Sequence, residues 1–186
     1  VKENIMLKLI VMVVVLVIIG VMIFAATKPN SFRTERRASI KATPEKIYAL
    51  LQDFHEWEVW SPWEKIDPAI IRTYSGSTSG IGAIYEWNGN KEIGQGRMEI
   101  IEATVPTKLV IKISFYKPFE AHNTVEFILN SQGENTQVTQ AMYGPSPYLS
   151  KLMCLFFDMD KMVGGKQAEG LATIKEIAEK QMSSGV

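Results

Sequence analysis

From Leu9 to Ala26 the chain carries no charged or strongly polar residue. At 1.5 Å per residue this run makes roughly 27 Å of helix, close to the hydrocarbon thickness of a bilayer. It predicts a membrane-spanning helix, with Lys8 snorkelling to the interface and Met6 and Leu7 lengthening the apolar stretch if the helix tilts. A cleaved signal peptide is the rival of an uncleaved anchor, but its apolar region is normally shorter, and Phe24 stands where the cleavage pattern before Thr27 calls for a small residue. Lys2 and Lys8 lie before the span and Lys28, Arg33, Arg36 and Arg37 after it. A plain positive-inside count favours a cytoplasmic domain, yet a short tail with two lysines also suits the opposite topology, and the side stays open.

Beyond the span the pattern changes to alternating and helical periods. Residues 1–27 are assigned to the anchor, 28–32 to a short polar linker and 33–182 to one folded domain. Phe32 to Ala42 alternates loosely as a first strand. Thr43-Pro44-Glu45 is a helix start, with Thr as N-cap and Pro at the first helical position. Ile47, Leu50, Leu51 and Phe54 then share one face of a helix over 44–53. Trp57, Trp60 and Trp63 recur every third residue around Ser61-Pro62; the rings either plug the end of a sheet or line the mouth of a cavity. Six strands follow, over 70–75, 81–88, 94–102, 108–116, 119–129 and 135–142, joined by turns short enough for antiparallel hairpins. Alternation puts Tyr85, Trp87, Met98, Phe115, Phe127 and Met142 on one face and Glu86, Arg97, Glu99, Lys112 and Glu126 on the other, so one side is wet and the other is covered. The cover is a C-terminal helical pattern. It begins with Leu149, Leu152, Met153, Phe156 and Phe157 and continues through Met162 and Val163 to Leu171, Ile174 and Ala178. Gly164-Gly165 within it marks a kink or a close approach to the sheet.

Composition removes several function classes. Twenty basic and twenty acidic residues give zero formal charge and a pI near 6.9, which argues against a nucleic-acid partner. A lone cysteine, Cys154, excludes an intrachain disulfide, and with only His55 and His122 beside it a histidine or thiolate metal site is not expected, nor is a cofactor. His122 falls on the polar side of its strand, His55 at a helix end, and Cys154 among apolar neighbours as an inert buried thiol. Asp158 and Asp160 read as capping or salt-bridging groups. Asn123 and Gln140 are polar residues on apolar faces, either hydrogen-bond handles for a ligand or satisfied core amides. No catalytic constellation is visible.

Particular runs carry a family likeness. Arg36 to Phe54, with its Ala-Thr-Pro-Glu-Lys helix start, resembles the beginning of the START-like SRPBCC superfamily in its polyketide cyclase/dehydrase-type branch. Trp60-Ser61-Pro62-Trp63-Glu64-Lys65 with Asp67-Pro68, Tyr74-Ser75-Gly76, Gly80-Ile81-Gly82-Ala83, Lys117-Pro118-Phe119-Glu120-Ala121 and Asp158 to Gly164 with Gly170-Leu171 look like a membrane-anchored subset of it. The resemblance covers residues 33 to 180. It implies an α+β helix-grip fold, in which a curved antiparallel sheet of about seven strands grips a long C-terminal helix, here preceded by one transmembrane helix. It also implies a cavity between helix and sheet for lipids, sterols, polyketides or hormones.

The expected function is therefore a membrane-tethered module binding a lipophilic small molecule. Trp60, Trp63, Tyr85, Trp87, Met98, Phe115, Asn123, Phe127, Gln140, Met142, Phe156 and Met162 are expected at its site. The alternatives are a cyclase- or dehydratase-type enzyme using the same cavity, and a protein-interaction module whose cavity its own side chains fill. Oligomeric state is left open.

Overall fold

The computed structural model describes residues 2–156 and 158–183. In chain order these form α1 (Lys2–Ala26), β1 (Ser31–Ile40), α2 (Pro44–Gln52), α3 (Trp57–Trp60) between two single 3-10 turns, six strands, α4 (Tyr148–Met153) and α5 (Met159–Ser183). The six strands are β2 (Ile71–Gly76), β3 (Ala83–Asn88), β4 (Gln95–Thr104), β5 (Lys108–Lys117), β6 (Ala121–Gln132) and β7 (Asn135–Pro145). The residues group into two compact units, 1–32 with 145–159 and 33–144 with 160–186.

In the larger unit one seven-stranded sheet runs β1-β7-β6-β5-β4-β3-β2. The hairpins from β2 to β7 are antiparallel neighbours, so β1 and β2 become the two edges, and α2 and α3 carry the chain from one edge to the other. Register shifts at Gln95/Gly96 and Ile100/Glu102 interrupt β4; such bulges bend a sheet and give it a concave side. That side is apolar as alternation predicts: Tyr85, Met98, Ile100, Ile111, Phe127, Leu129 and Val138 are buried with Ile47 and Leu51 of α2, Trp57 and Trp60 of α3, and Leu171, Ile174 and Ala178 of α5. The opposite side carries ion pairs linking Arg37, Glu35, Arg33, Glu126, Lys108 and Glu102 across the strands.

The C-terminal pattern is two helices rather than one, because the chain turns at Cys154 to Phe156 before α5 begins. Cys154 is exposed in that turn, not buried, and Phe157 lies outside the described residues. Thr43 takes the N-cap position of α2 but its side chain makes no capping bond. Gly164-Gly165 does not interrupt α5.

In the smaller unit the Asn4–Ala26 stretch of α1 is, by length and composition, long enough and apolar enough to cross a membrane. α4 packs against its last turns: the Tyr148 hydroxyl donates to the Met22 carbonyl at 2.9 Å, and Ala25 is fully buried.

Candidate functional site

The surface facing α5 is built by strand pairing. Opposed residues share a face, so Trp87, Tyr85 and Met98 continue into Ile113 and Asn123, and Phe127 into Gln140. α5 answers with Gly164, Gln167, Leu171, Ile174 and Ala178, buried at steps of three and four, and with Gly170 beside them. Two close approaches fix the crossing. A Cβ on Gly170 would lie 3.2 Å from Pro62 and 3.3 Å from the Trp60 ring. A Cβ on Gly164 would collide with the Arg36 guanidinium, which bonds the Asp160 carboxylate at 3.0 and 2.8 Å.

Aromatic rings fill much of the space beneath. Phe115 meets Trp87, Trp87 meets Tyr85, Tyr85 meets Phe54, and Phe54 meets Trp57, with centroids 5.3 to 6.0 Å apart; Trp57 and Trp60 then present edges to Phe127 at 6.1 and 6.3 Å. Both indoles are hydrogen-bonded, Trp57 to the Leu51 carbonyl and Trp60 to that of Leu50. In this apolar setting four polar atoms stand without partners among the described residues: the Thr34 hydroxyl, Gln140 Oε1, and both amide atoms of Gln167. All three residues are more than nine-tenths buried. Two pockets among the described residues are lined by no residue of α5. One, of about 210 Å³, is lined by Ile71, Trp87, Gln95 and Tyr116; the other, of about 390 Å³, runs along α2 past Lys46, Leu50 and Asp53.

A polar network sits at the β2 edge of the same face. Glu64 is a nearly buried carboxylate that accepts from Tyr85 Oη at 2.6 Å and from Arg72 Nε at 2.8 Å. Tyr74 donates to Glu58 at 2.8 Å and stacks on His55, centroids 4.0 Å apart, while His55 Nδ1 meets Asp53 at 2.7 Å. Burial first, and then the hydrogen bonds to Glu64 and Glu58, push the Tyr85 and Tyr74 phenols above their ordinary range. Both therefore stay protonated as hydrogen-bond donors.

No family model matches the sequence, and no curated protein matches it. Solved structures do. The di-domain ARO/CYC StfQ from the steffimycin biosynthetic pathway superposes with a TM-score of 0.59 at 12% identity, over 82% of this chain and 52% of that one. Major latex-like protein 151 from Panax ginseng gives 0.55 at 12%, over 81% of this chain and 99% of that one. The Aha1 dimer from Colwellia psychrerythraea gives 0.55 at 18%, over 80% and 96%. At these identities the likeness is one of fold, and it agrees with the sheet order and the long helix across it. The chain has the helix-grip fold.

Within this helix-grip domain Trp60, Tyr85, Trp87, Met98, Asn123, Phe127 and Gln140 are buried, and Phe115 and Met142 partly so. Three of the expected positions are exposed rather than buried. Trp63 is 40% exposed, because the 3-10 turn begun by Pro62 rotates it away from Trp57 and Trp60. Met162 is exposed, since the inner stripe of α5 runs through Gly164 and Gln167 and residue 162 falls off it. Phe156 is exposed in the turn after α4, where the helical period that predicted its direction has ended. Asp67, part of the quoted motif, is structural: its carboxylate accepts the backbone N–H groups of Ala69 at 3.0 Å and Asn90 at 2.6 Å. His122 lies on the outer face with Ser114 and Glu120. Glu64, Arg72 and Gln167 were missed. For Gln167 a signal existed, because it stands three residues after Gly164 and four before Leu171, in step with the inner stripe.

Proposed function

We propose that the chain is a membrane-tethered binding module for a lipophilic small molecule of the lipid, quinone or polyketide type, held between the sheet and α5, with α1 as its bilayer anchor. The observation that carries this is the polar set Thr34, Gln140 and Gln167 in an apolar interior. An unpartnered buried donor or acceptor costs on the order of 1 to 3 kcal/mol. A guest with a hydrocarbon body and a neutral hydroxyl or carbonyl end removes that cost while adding apolar contact. Met98 and Met142 flank the region with side chains flexible enough to yield to such a guest. The fold likeness to StfQ, whose setting is a biosynthetic pathway, supports a small-molecule ligand. An anchor supports it too, since tethering gives the domain a high effective concentration of ligands dissolved in the bilayer.

The continuous packing from Phe115 to Phe127 favours a second reading, an interaction module whose interior is its own side chains. Titrating the full chain in detergent with a fluorescent fatty acid and a quinone analogue separates the two. Saturable uptake that Gln167→Leu weakens is expected for a ligand site. No saturable uptake by the native chain is expected for a filled core.

A further inference from the structure

α4 and the turn that follows it expose an apolar row. Leu149 is 59% exposed and Phe156 75%, with Met153 also on the surface between them. Their spacing of four and three residues sets them on one side of a helical path. An isolated row of this kind says nothing about its partner, but this one is attached to α1, a helix long enough and apolar enough to cross a membrane. The Tyr148 hydroxyl bonds the carbonyl of Met22, four residues and about 6 Å before the end of α1. Ala25, one turn further on, is fully buried. Groups suited to a headgroup layer lie at the junction: Tyr148 is exposed and the Lys28 ammonium lies 4.4 Å from the centre of the Phe24 ring, while the buried Lys151 ties α4 to the linker through Asn30 Oδ1 at 2.6 Å. Tyrosine and lysine at one level, with bulky apolar side chains beside them, match the chemistry of a membrane interface.

We propose that α4 and the turn through Phe156 lie in the interface of a lipid bilayer, with Leu149, Met153 and Phe156 in the upper acyl region and Tyr148 and Lys28 at the headgroups. This rests on α1 spanning the membrane. A helix docked on Met22 is then held at the depth of the last turn of α1, where its outer face meets lipid rather than water. The partner is therefore a lipid surface, and the contact makes the connection between β7 and α5 a second membrane attachment.

Cys154 provides the test, because it is the one cysteine of the chain and is exposed in this turn. The full chain, labelled there with a polarity-sensitive nitrobenzoxadiazole dye, is reconstituted in phosphatidylcholine vesicles with and without lipids carrying a nitroxide near the top of the acyl chain. The comparison is the same dye on Ser131→Cys in a Cys154→Ser background, at an exposed hairpin position. The label at 154 should emit to the blue of the label at 131 and be quenched about twofold more or better, and Leu149→Gln with Phe156→Gln should reduce that difference. Water-like emission and equal quenching at both positions, in vesicles from which alkaline carbonate does not extract the protein, would overturn the interface and leave the anchor standing. Extraction by carbonate would overturn the anchor and the interface together.

Discussion

The guanidinium of Arg36 occupies the space that a side chain at residue 164 would need, so the glycine on α5 and the arginine on β1 define where helix and sheet meet. Arg36 is fixed there by two bonds to the Asp160 carboxylate and a third to its carbonyl, one turn before Gly164. The bonds to the carboxylate hold the Asp160 carboxyl below the usual carboxylate range. A depressed folded-state pKa contributes stability above the unfolded value, near 4, and that contribution is lost as pH falls through the lowered folded value. Carboxyl NMR titration should therefore find Asp160 titrating below an ordinary aspartate, with Arg36→Gln returning it to the usual range. Gly164→Ala should do the same by displacing the guanidinium, although alanine alone favours helix by about 1 kcal/mol. An unshifted Asp160 in the native chain would remove this contact from the account.

Trp60 and Trp63 lie three residues apart and differ in burial, 2% against 40% exposed. Trp60→Ala opens a cavity beside Phe127 and Gly170 and should cost on the order of 3 to 5 kcal/mol in denaturant unfolding. Trp63→Ala should cost less than about 1 kcal/mol. Equal losses would contradict the orientation of the turn at Pro62.

Gly96 faces the Trp87 ring and the Ser114 carbonyl at distances that leave no room for a methyl group. Gly96→Ala should destabilise by about 1 to 3 kcal/mol through overpacking. Changed near-ultraviolet circular dichroism should accompany the loss, as Trp87 is pushed from its place between Tyr85 and Phe115. A silent substitution would show that the β3–β4 pairing is looser than described.

Strand order and the covered face were legible because period-two alternation in β3 to β7 leaves few choices, and hairpins with short turns fix the neighbours. The break between α4 and α5 was not, since Leu149, Met153 and Phe156 keep a helical period up to the turn; their apolar character answers to an outer face rather than to the core. The repeat of three left open whether Trp63 is buried or at the surface, because it reads alike in a helix and in a 3-10 turn, and the 3-10 turn begun by Pro62 decides for the surface. The Glu64 network was invisible for another reason. Its partners, Arg72 and Tyr85, come from different strands, and carboxylates near turns ordinarily face water.

The amides inside the grip make opposite predictions for stability and binding. Replacing a buried unpaired polar group by an apolar one of similar shape is near neutral or favourable. Gln167→Leu should thus leave the thermal midpoint unchanged or raise it, by the equivalent of about 1 kcal/mol, while weakening ligand uptake. A marked loss of stability would mean that the amide is already satisfied within the fold, and the polar handle would be withdrawn.

Native mass spectrometry of the full chain, extracted from membranes in mild detergent, tests the central claim most directly. The account predicts a second species heavier by one lipophilic molecule of defined mass, diminished in Gln140→Leu and Gln167→Leu while the bare chain remains folded. A bare chain alone, still without an adduct after incubation with fatty acids, quinones, sterols and aromatic polyketides, would contradict it.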